Sequence, residues 1–286
     1  MITLNNGILT VKINEIGAEI KSVVKNGGME LMWPGKNEVW NDTAPLMFPI
    51  CGGLKDDKYI LDGKEYSLPK HGFTRNALFS VESASDTQAV FLLTESAETL
   101  KAFPFKFELR VIYTLQGESI KIEYKVYNSN DKTMYFSIGS HEGYYTPEGI
   151  EDYDVIFPEK ETLDASNLYG NIVANSGNRI IKDSDTIALY DKYFIIDALL
   201  FKTLKSRSAM LRNRKTGRAV KVDFPFASYF LLWHKHGAPY ICLEPWAGIP
   251  DIEGSDYDFT KKEGIISLDA GKEYLGEHTI TFIDGE

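Results

Sequence analysis

Alternation of apolar and polar side chains with period two constrains this chain more than any other feature. From Phe105 to Leu115 the odd positions Phe105, Phe107, Leu109, Val111, Tyr113 and Leu115 are apolar, with Lys106, Glu108, Arg110 and Thr114 between them. Successive side chains of an extended strand point to opposite faces, so this stretch has one dry and one wet face. After Gln116-Gly117-Glu118 the phase resumes with Ile120, Ile122, Tyr124 and Val126 against Lys121, Glu123 and Lys125, which predicts a long antiparallel hairpin. Shorter alternating pieces at Leu9 to Ile13, Val220 to Phe224 and His278 to Phe282 are separated by turn signals such as Asn5-Asn6-Gly7, Asn26-Gly27-Gly28 and Leu61-Asp62-Gly63. One helical turn is expected at Ser96 to Ala102, ahead of Pro104. No amphipathic helix of three turns separates the strands, which disfavours a parallel sheet with crossover helices. The expected fold is all-β, an antiparallel sandwich with minor helical turns.

The 286 residues approach the roughly 250–300 at which a single hydrophobic core stops growing. No fixed repeat, low-complexity tract or Pro/Gly/Ser linker marks a boundary, so one domain over residues 1–286 is expected. A net charge of −10 repels phosphate backbones and anionic headgroups, which argues against nucleic acid and membrane surfaces as partners. No apolar run exceeds about five residues, against roughly 20 for a spanning helix, and the N-terminal stretch lacks the basic and apolar regions of a signal peptide. A soluble, cytoplasmic protein is expected, as a monomer or homodimer. Cys51 and Cys242 are the only cysteines; without disulfide or metal-motif spacing they read as free thiols.

Four of the five histidines lie in turn-like settings: His71 in Pro69-Lys70-His71-Gly72-Phe73, His141 in Gly139-Ser140-His141-Glu142-Gly143, and His234 and His236 in Trp233-His234-Lys235-His236-Gly237. Glycines around His141 permit close approach of backbone or ligand. The pair His234/His236 suggests a metal site on one strand face, but Tyr240 stands where a third, carboxylate ligand is wanted, so exposed loop histidines are expected instead. Glu244 lies between the apolar Ile241-Cys242-Leu243 and what reads as a Pro245-Trp246 turn. A carboxylate buried there is either paired or functional, since desolvation raises its pKa toward that of a general base. No GxGxxG, Walker loop, GxSxG, HExxH or CxxC occurs.

Taken together, these segments resemble the aldose 1-epimerase (galactose mutarotase-like) superfamily, in particular its LacX-like branch. The matching pieces are Gly17-Ala18-Glu19-Ile20, Phe48-Pro49-Ile50-Cys51-Gly52, Leu68 to Arg75, Phe103-Pro104-Phe105, Gly139-Ser140-His141, Asp197-Ala198-Leu199 and Glu244-Pro245-Trp246-Ala247-Gly248. The resemblance implies a β-supersandwich with an open sugar cleft and interconversion of anomers with no cofactor and no metal. It implies Glu244 as the base that takes the C1 hydroxyl proton and His141 as the acid that protonates the ring oxygen, on opposite sides of the hemiacetal carbon. It also implies His71 as a sugar ligand near the ring oxygen or C1 hydroxyl and Asp197 as the holder of sugar hydroxyls. Trp233 is either an apolar platform for the sugar or a core tryptophan. Arg75 either meets a phosphate or braces its loop. Family members often carry an arginine just after Phe-Pro-x-x-Gly; here the chain reads Gly53-Leu54-Lys55, and lysine lacks arginine's planar fork. The expected substrate is a sugar or sugar phosphate. The alternatives are a catalytically silent sugar-binding or sensing protein and a related lyase or hydrolase, the latter requiring a second carboxylate beside the bond.

Overall fold

The computed structural model describes residues 1–285. The strands Phe107–Gln116 and Ser119–Asn128 pair in unbroken antiparallel register from Asn128↔Phe107 to Ser119↔Gln116. Phe107, Leu109, Val111, Tyr113 and Leu115 are buried, as the alternation requires. Gly117 turns the chain at φ +59, a left-handed conformation that only glycine adopts without steric cost. Phe105 lies just ahead of this strand, and the helical turn is Thr99–Ala102, inside the expected segment.

Most strands join one 16-stranded, almost wholly antiparallel sheet, whose path runs from Leu46–Met47 through Tyr240–Ala247, Tyr229–Trp233 and Tyr153–Tyr169 to Glu273–Ile283, Ser119–Asn128 and Phe107–Gln116. Right-handed twist accumulates from strand to strand, so a sheet this wide cannot stay flat. Its two stretches fold onto each other around one continuous core, in which Val111, Ile122 and Ile280 meet Ile138, Ile241 and Leu243. A three-stranded meander of Ile2–Asn5, Leu9–Asn14 and Glu19–Lys25 adds Leu4, Leu9 and Val11 to the same core. The β-supersandwich is therefore the observed fold. No helix among the described residues is long and apolar enough to cross a membrane.

Two features of this frame position the cleft described below. The strands Tyr153–Tyr169 and Ile172–Ala188 form a long hairpin whose register shifts repeatedly. Such bulges bend and twist a hairpin, and its tip at Gly170-Asn171 reaches Gly53 on the cleft edge. The second feature is polar and lies in the interior. His278 Nε2 meets Glu142 Oε1 at 2.9 Å, with side chains 0% and 3% exposed, tying the strand beside the cleft to the opposite stretch of sheet.

Removing one partner of a buried polar pair leaves the other desolvated without compensation, at a cost of about 3–5 kcal/mol. His278→Leu should lose stability on that scale in urea unfolding, and Glu142→Leu/His278→Leu should recover much of it. A double variant as unstable as the single one would assign the loss to packing shape rather than to the orphaned carboxyl.

Candidate active site

The site is set by the Tyr240–Ala247 strand, which is buried along its whole length. Ile241, Leu243 and Ala247 point into the main core, so the pleat turns Cys242, Glu244 and Trp246 to the other face. Along one edge this strand pairs with Ile138–Ser140 through Ile138↔Ala247 and Gly139↔Trp246, and with Glu142–Tyr145 through Glu142↔Leu243. Both pairings belong to one register. Between them is an unbridged step at which Ser140 faces Pro245 and His141 faces Glu244. The Trp246 carbonyl accepts from Ser228 N on the far edge, so the neighbouring Pro245 turns its nitrogen, which has no proton to give, toward that step. The strand thus continues through Pro245 and Trp246, where the sequence suggested a turn. Proline is accommodated in mid-sheet because the ladder is open there.

This register brings His141 Nδ1 to 3.5 Å from Glu244 Oε1. Glu244 is 1% exposed, and neither of its oxygens has a hydrogen-bond partner among the described residues. Apart from this 3.5 Å contact with His141, Glu244 has no capping or ion-pair partner among the described residues. Burial holds its carboxyl well above the usual carboxylate range; Glu142 and Asp197 add to this, and Lys70 opposes it. Burial also pushes His141 well below the usual imidazole range, with His71 and Arg75 adding to the effect. Both directions favour the neutral form of each group, which widens the pH range over which the pair carries one proton.

His71 is fixed by a reciprocal pair of hydrogen bonds: its backbone N–H donates to Gly52 O at 2.7 Å, and Gly52 N–H donates to its Nδ1 at 3.1 Å. Because Nδ1 accepts, the ring proton sits on Nε2. Burial, with Lys70 adding to it, pushes the His71 pKa down to about 3, so His71 is a neutral donor. The loop follows the Phe48-Pro49 segment so closely that a Cβ on Gly72 (φ +74) would lie 2.2 Å from Phe48 O.

His71, His141, Glu244, Asp197, Arg75 and Trp233 all line one open cleft of about 590 Å³. Trp233 is half-buried and edge-on to the His141 ring (5.3 Å, 81°); it lines the cleft on one side and packs against the buried Trp33, Tyr240 and Cys242 on the other. Asp197 lies on the irregular segment after the Asp191–Phe194 turn, its Oδ1 accepting from Ala198 N at 2.8 Å. Arg75 is paired with Asp42, which favours the brace over a free phosphate ligand. Lys55 is turned elsewhere, donating to Ser255 O and stacking over Tyr257.

Three parts of the cleft carry no local signal in the sequence. Trp40 lies 5.0 Å from the His141 ring, held by its carbonyl, which accepts from Trp33 Nε1. Lys70 lines the entrance. Asn171 occupies the space beside Gly53, where a Cβ would come within 2.4 Å of Asn171 Cβ. The expectation of two exposed loop histidines holds for His236, 72% exposed, but not for His234. His234 is buried, with Nδ1 2.7 Å from Tyr240 O and Nε2 2.7 Å from Asp191 Oδ1. Its ring is spent on anchoring the Asp191 turn beneath Asp197.

The antiparallel supersandwich is the fold of the galactose mutarotase-like class, and comparison with known proteins agrees. The chain superimposes on a galactose mutarotase related enzyme from Lactobacillus acidophilus with TM-score 0.93 and 35% identity, covering 99% of this chain and 97% of that one. A galactose mutarotase-like protein from Lactobacillus casei ATCC 334 matches with TM-score 0.93 and 28% identity over 99% and 100% of the two chains. Protein LacX, plasmid, of Lactococcus lactis subsp. lactis is 34% identical over 262 residues, 87% of this chain and 88% of its own length. The aldose 1-epimerase family profile matches residues 1–276. The chain belongs to the aldose 1-epimerase family.

The buried carboxyl carries a stability consequence with a definite sign. Its pKa is raised on folding above an ordinary 4.5, so its contribution is fully present below that pH and is lost as pH rises toward the folded-state value. Glu244→Gln, which cannot ionise, should therefore melt higher than the unaltered protein, by a margin that widens between pH 5 and pH 8. A margin independent of pH, read by thermal unfolding, would mean that Glu244 carries no ionisation strain.

Proposed function

We propose that this protein interconverts the α and β anomers of an aldose or aldose phosphate, the whole chain acting as one domain. The observation that carries this reading is the register-opposed pair His141 and Glu244, unpartnered and buried on the floor of an open cleft. Expectation had the two groups on opposite sides of the hemiacetal carbon; here they stand side by side. That suits the chemistry, because the C1 hydroxyl and the ring oxygen are bonded to the same carbon.

The derived reaction moves two protons. With the shared proton on His141, the Glu244 carboxylate takes the C1 hydroxyl proton while His141 gives its own to the ring oxygen. The C1–O bond of the ring breaks and an aldehyde forms. After rotation about C1–C2, Glu244 returns its proton to the aldehyde oxygen and His141 recovers its own from the attacking hydroxyl. Ring closure on the other face gives the other anomer, and both groups end as they began. Neutral His71 donates from Nε2 to a sugar oxygen, Asp197 accepts from hydroxyls, and Trp233 and Trp40 form the apolar walls. With Arg75 committed to Asp42, Lys70 is the cation at the entrance for a phosphate.

NMR exchange spectroscopy of α and β anomers over free and 6-phosphorylated aldoses tests this directly. Glu244→Gln and His141→Ala should each lower the exchange rate by about 10²–10⁴, the contribution of one positioned proton-transfer group, while sugar binding weakens far less. If the unaltered protein binds these sugars and never accelerates exchange, it is a binding or sensing protein instead.

The pH profile follows from one shared proton. Activity falls in acid as a second proton enters the pair, which burial resists because it charges His141. Activity falls in alkali as the only proton leaves, which burial resists because it ionises Glu244. With chelator present, kcat/KM should be a broad bell whose acid limb lies below the ordinary 6.5 of histidine and whose alkaline limb lies well above the ordinary 4.5 of glutamate. Both limbs belong to the pair rather than to either residue. A flat profile would remove the pair from the chemistry.

A further inference from the structure

The proton-transfer reading leaves Cys242 without a role, yet its buried sulfur lies directly beside the His141–Glu244 pair. Cys242 Sγ, a nitrogen of His141 and a carboxylate oxygen of Glu244 all lie within 4.8 Å of one another. We propose that these three residues form a zinc site whose occupation shuts off the active site. The inhibitory consequence rests on the reading given above; the binding itself does not.

Several independent features favour a cation here. The donors are a thiol, an imidazole and a carboxylate, the mixed set that suits zinc; one carboxylate oxygen gives magnesium or calcium too little oxygen coordination. None is committed elsewhere: His141 Nδ1 and both Glu244 oxygens have no hydrogen-bond partner among the described residues, and Cys242 is a free thiol. All three are set by one sheet, with Cys242 and Glu244 two residues apart on one strand face and His141 across the ladder from Glu244, so the arrangement exists before a metal arrives. Zinc–ligand bonds of 2.0–2.3 Å place tetrahedral ligand atoms roughly 3.3–3.8 Å apart. The 3.5 Å between His141 Nδ1 and Glu244 Oε1 already fits, and the widest gap has to close by about 1 Å. His141 and Glu244 both line the cleft, so the group is reached from it.

Charge supports the same conclusion. A thiolate and a carboxylate neutralise the dication, so no net charge is buried. Binding sends two protons to solvent, one from the Cys242 thiol and the one held by the His141/Glu244 pair. The metal then occupies the lone pairs that the reaction uses to carry protons. His234 and His236 are a poorer alternative, because both nitrogens of His234 are engaged by Tyr240 O and Asp191.

Titration of chelator-treated protein with Co²⁺ gives a readout independent of activity. One equivalent should produce a near-ultraviolet thiolate-to-cobalt charge-transfer band that Zn²⁺ abolishes. Cys242→Ser should lose that band, bind Zn²⁺ at least about 100-fold more weakly by calorimetry, keep the metal-free exchange rate and resist inhibition by Zn²⁺. His141→Ala, which keeps the thiol, should also weaken Zn²⁺ binding, and serves as the test if Cys242→Ser does not fold. Absence of a thiolate band, or Zn²⁺ inhibition undiminished in Cys242→Ser, would overturn the proposal and move the metal elsewhere. Cobalt bound at Cys242 in a protein that never accelerates anomer exchange would uphold the site and sink the epimerase reading; fast exchange without a band would do the reverse.

Discussion

Everything at the cleft depends on a single unbridged step in one β-ladder. Gly139↔Trp246 and Glu142↔Leu243 are rungs of the same register, and between them Pro245 has no N–H to offer. Were that residue able to donate, the ladder could close and His141 would be an ordinary cross-strand neighbour of Glu244 in a continuous sheet. No rung joins Ser140 or His141 to the Tyr240–Ala247 strand, while the rungs on either side fix where they must be. Trp246 Nε1 donating to Ser140 O at 3.1 Å holds this segment from the cleft side. His141 and Glu244 are thus placed opposite each other by backbone register.

Holding them there is costly to the fold. A carboxyl that is 1% exposed and without a donor forfeits the hydration it has in the unfolded chain. Burial favours the uncharged form of both groups, which limits that cost. The protein limits it further by placing His71 beside the pair as a neutral ring, fixed by Gly52, instead of a cation. Behind the strand, the Glu142–His278 contact joins the two stretches of sheet at the level of the site. The core beneath the cleft therefore contains a buried polar contact at the level of the site.

How much of this was legible in the sequence depended on the range of the interaction. The hairpin from Phe107 to Asn128 follows from period two alone, because every deciding contact lies in adjacent strands. Six site residues could be named because His71, His141 and Glu244 sit in short motifs that bring the others with them through the resemblance. Trp40 and Asn171 were invisible as parts of the cleft, and Cys242 as a neighbour of the His141–Glu244 pair. Trp40 arrives on an irregular loop, Asn171 on the tip of a bulged hairpin, and Cys242 reads as an apolar strand residue until the pleat is assigned. His234 was misplaced for the same reason: its partner Asp191 is 43 residues away, beyond any local pattern.

Gly53 shows how one small residue reshapes recognition. A Cβ at this position would lie 2.4 Å from Asn171 Cβ, so a side chain here and the hairpin tip compete for the same volume. In this chain the tip has taken it, tethered by Asn171 Nδ2 donating to Asp57 Oδ1 at 3.0 Å. An arginine would bring a cationic fork to this edge of the cleft, whereas asparagine brings an uncharged amide. That exchange matters beyond sugar contacts. With Arg75 already paired to Asp42, an added cation on the cleft wall would pull the Glu244 carboxyl back toward its ordinary ionisation and free the proton it shares with His141. Burial sets the raised Glu244 carboxyl, and the uncharged edge at Gly53 and Asn171 adds no second cation to Lys70 in opposing it.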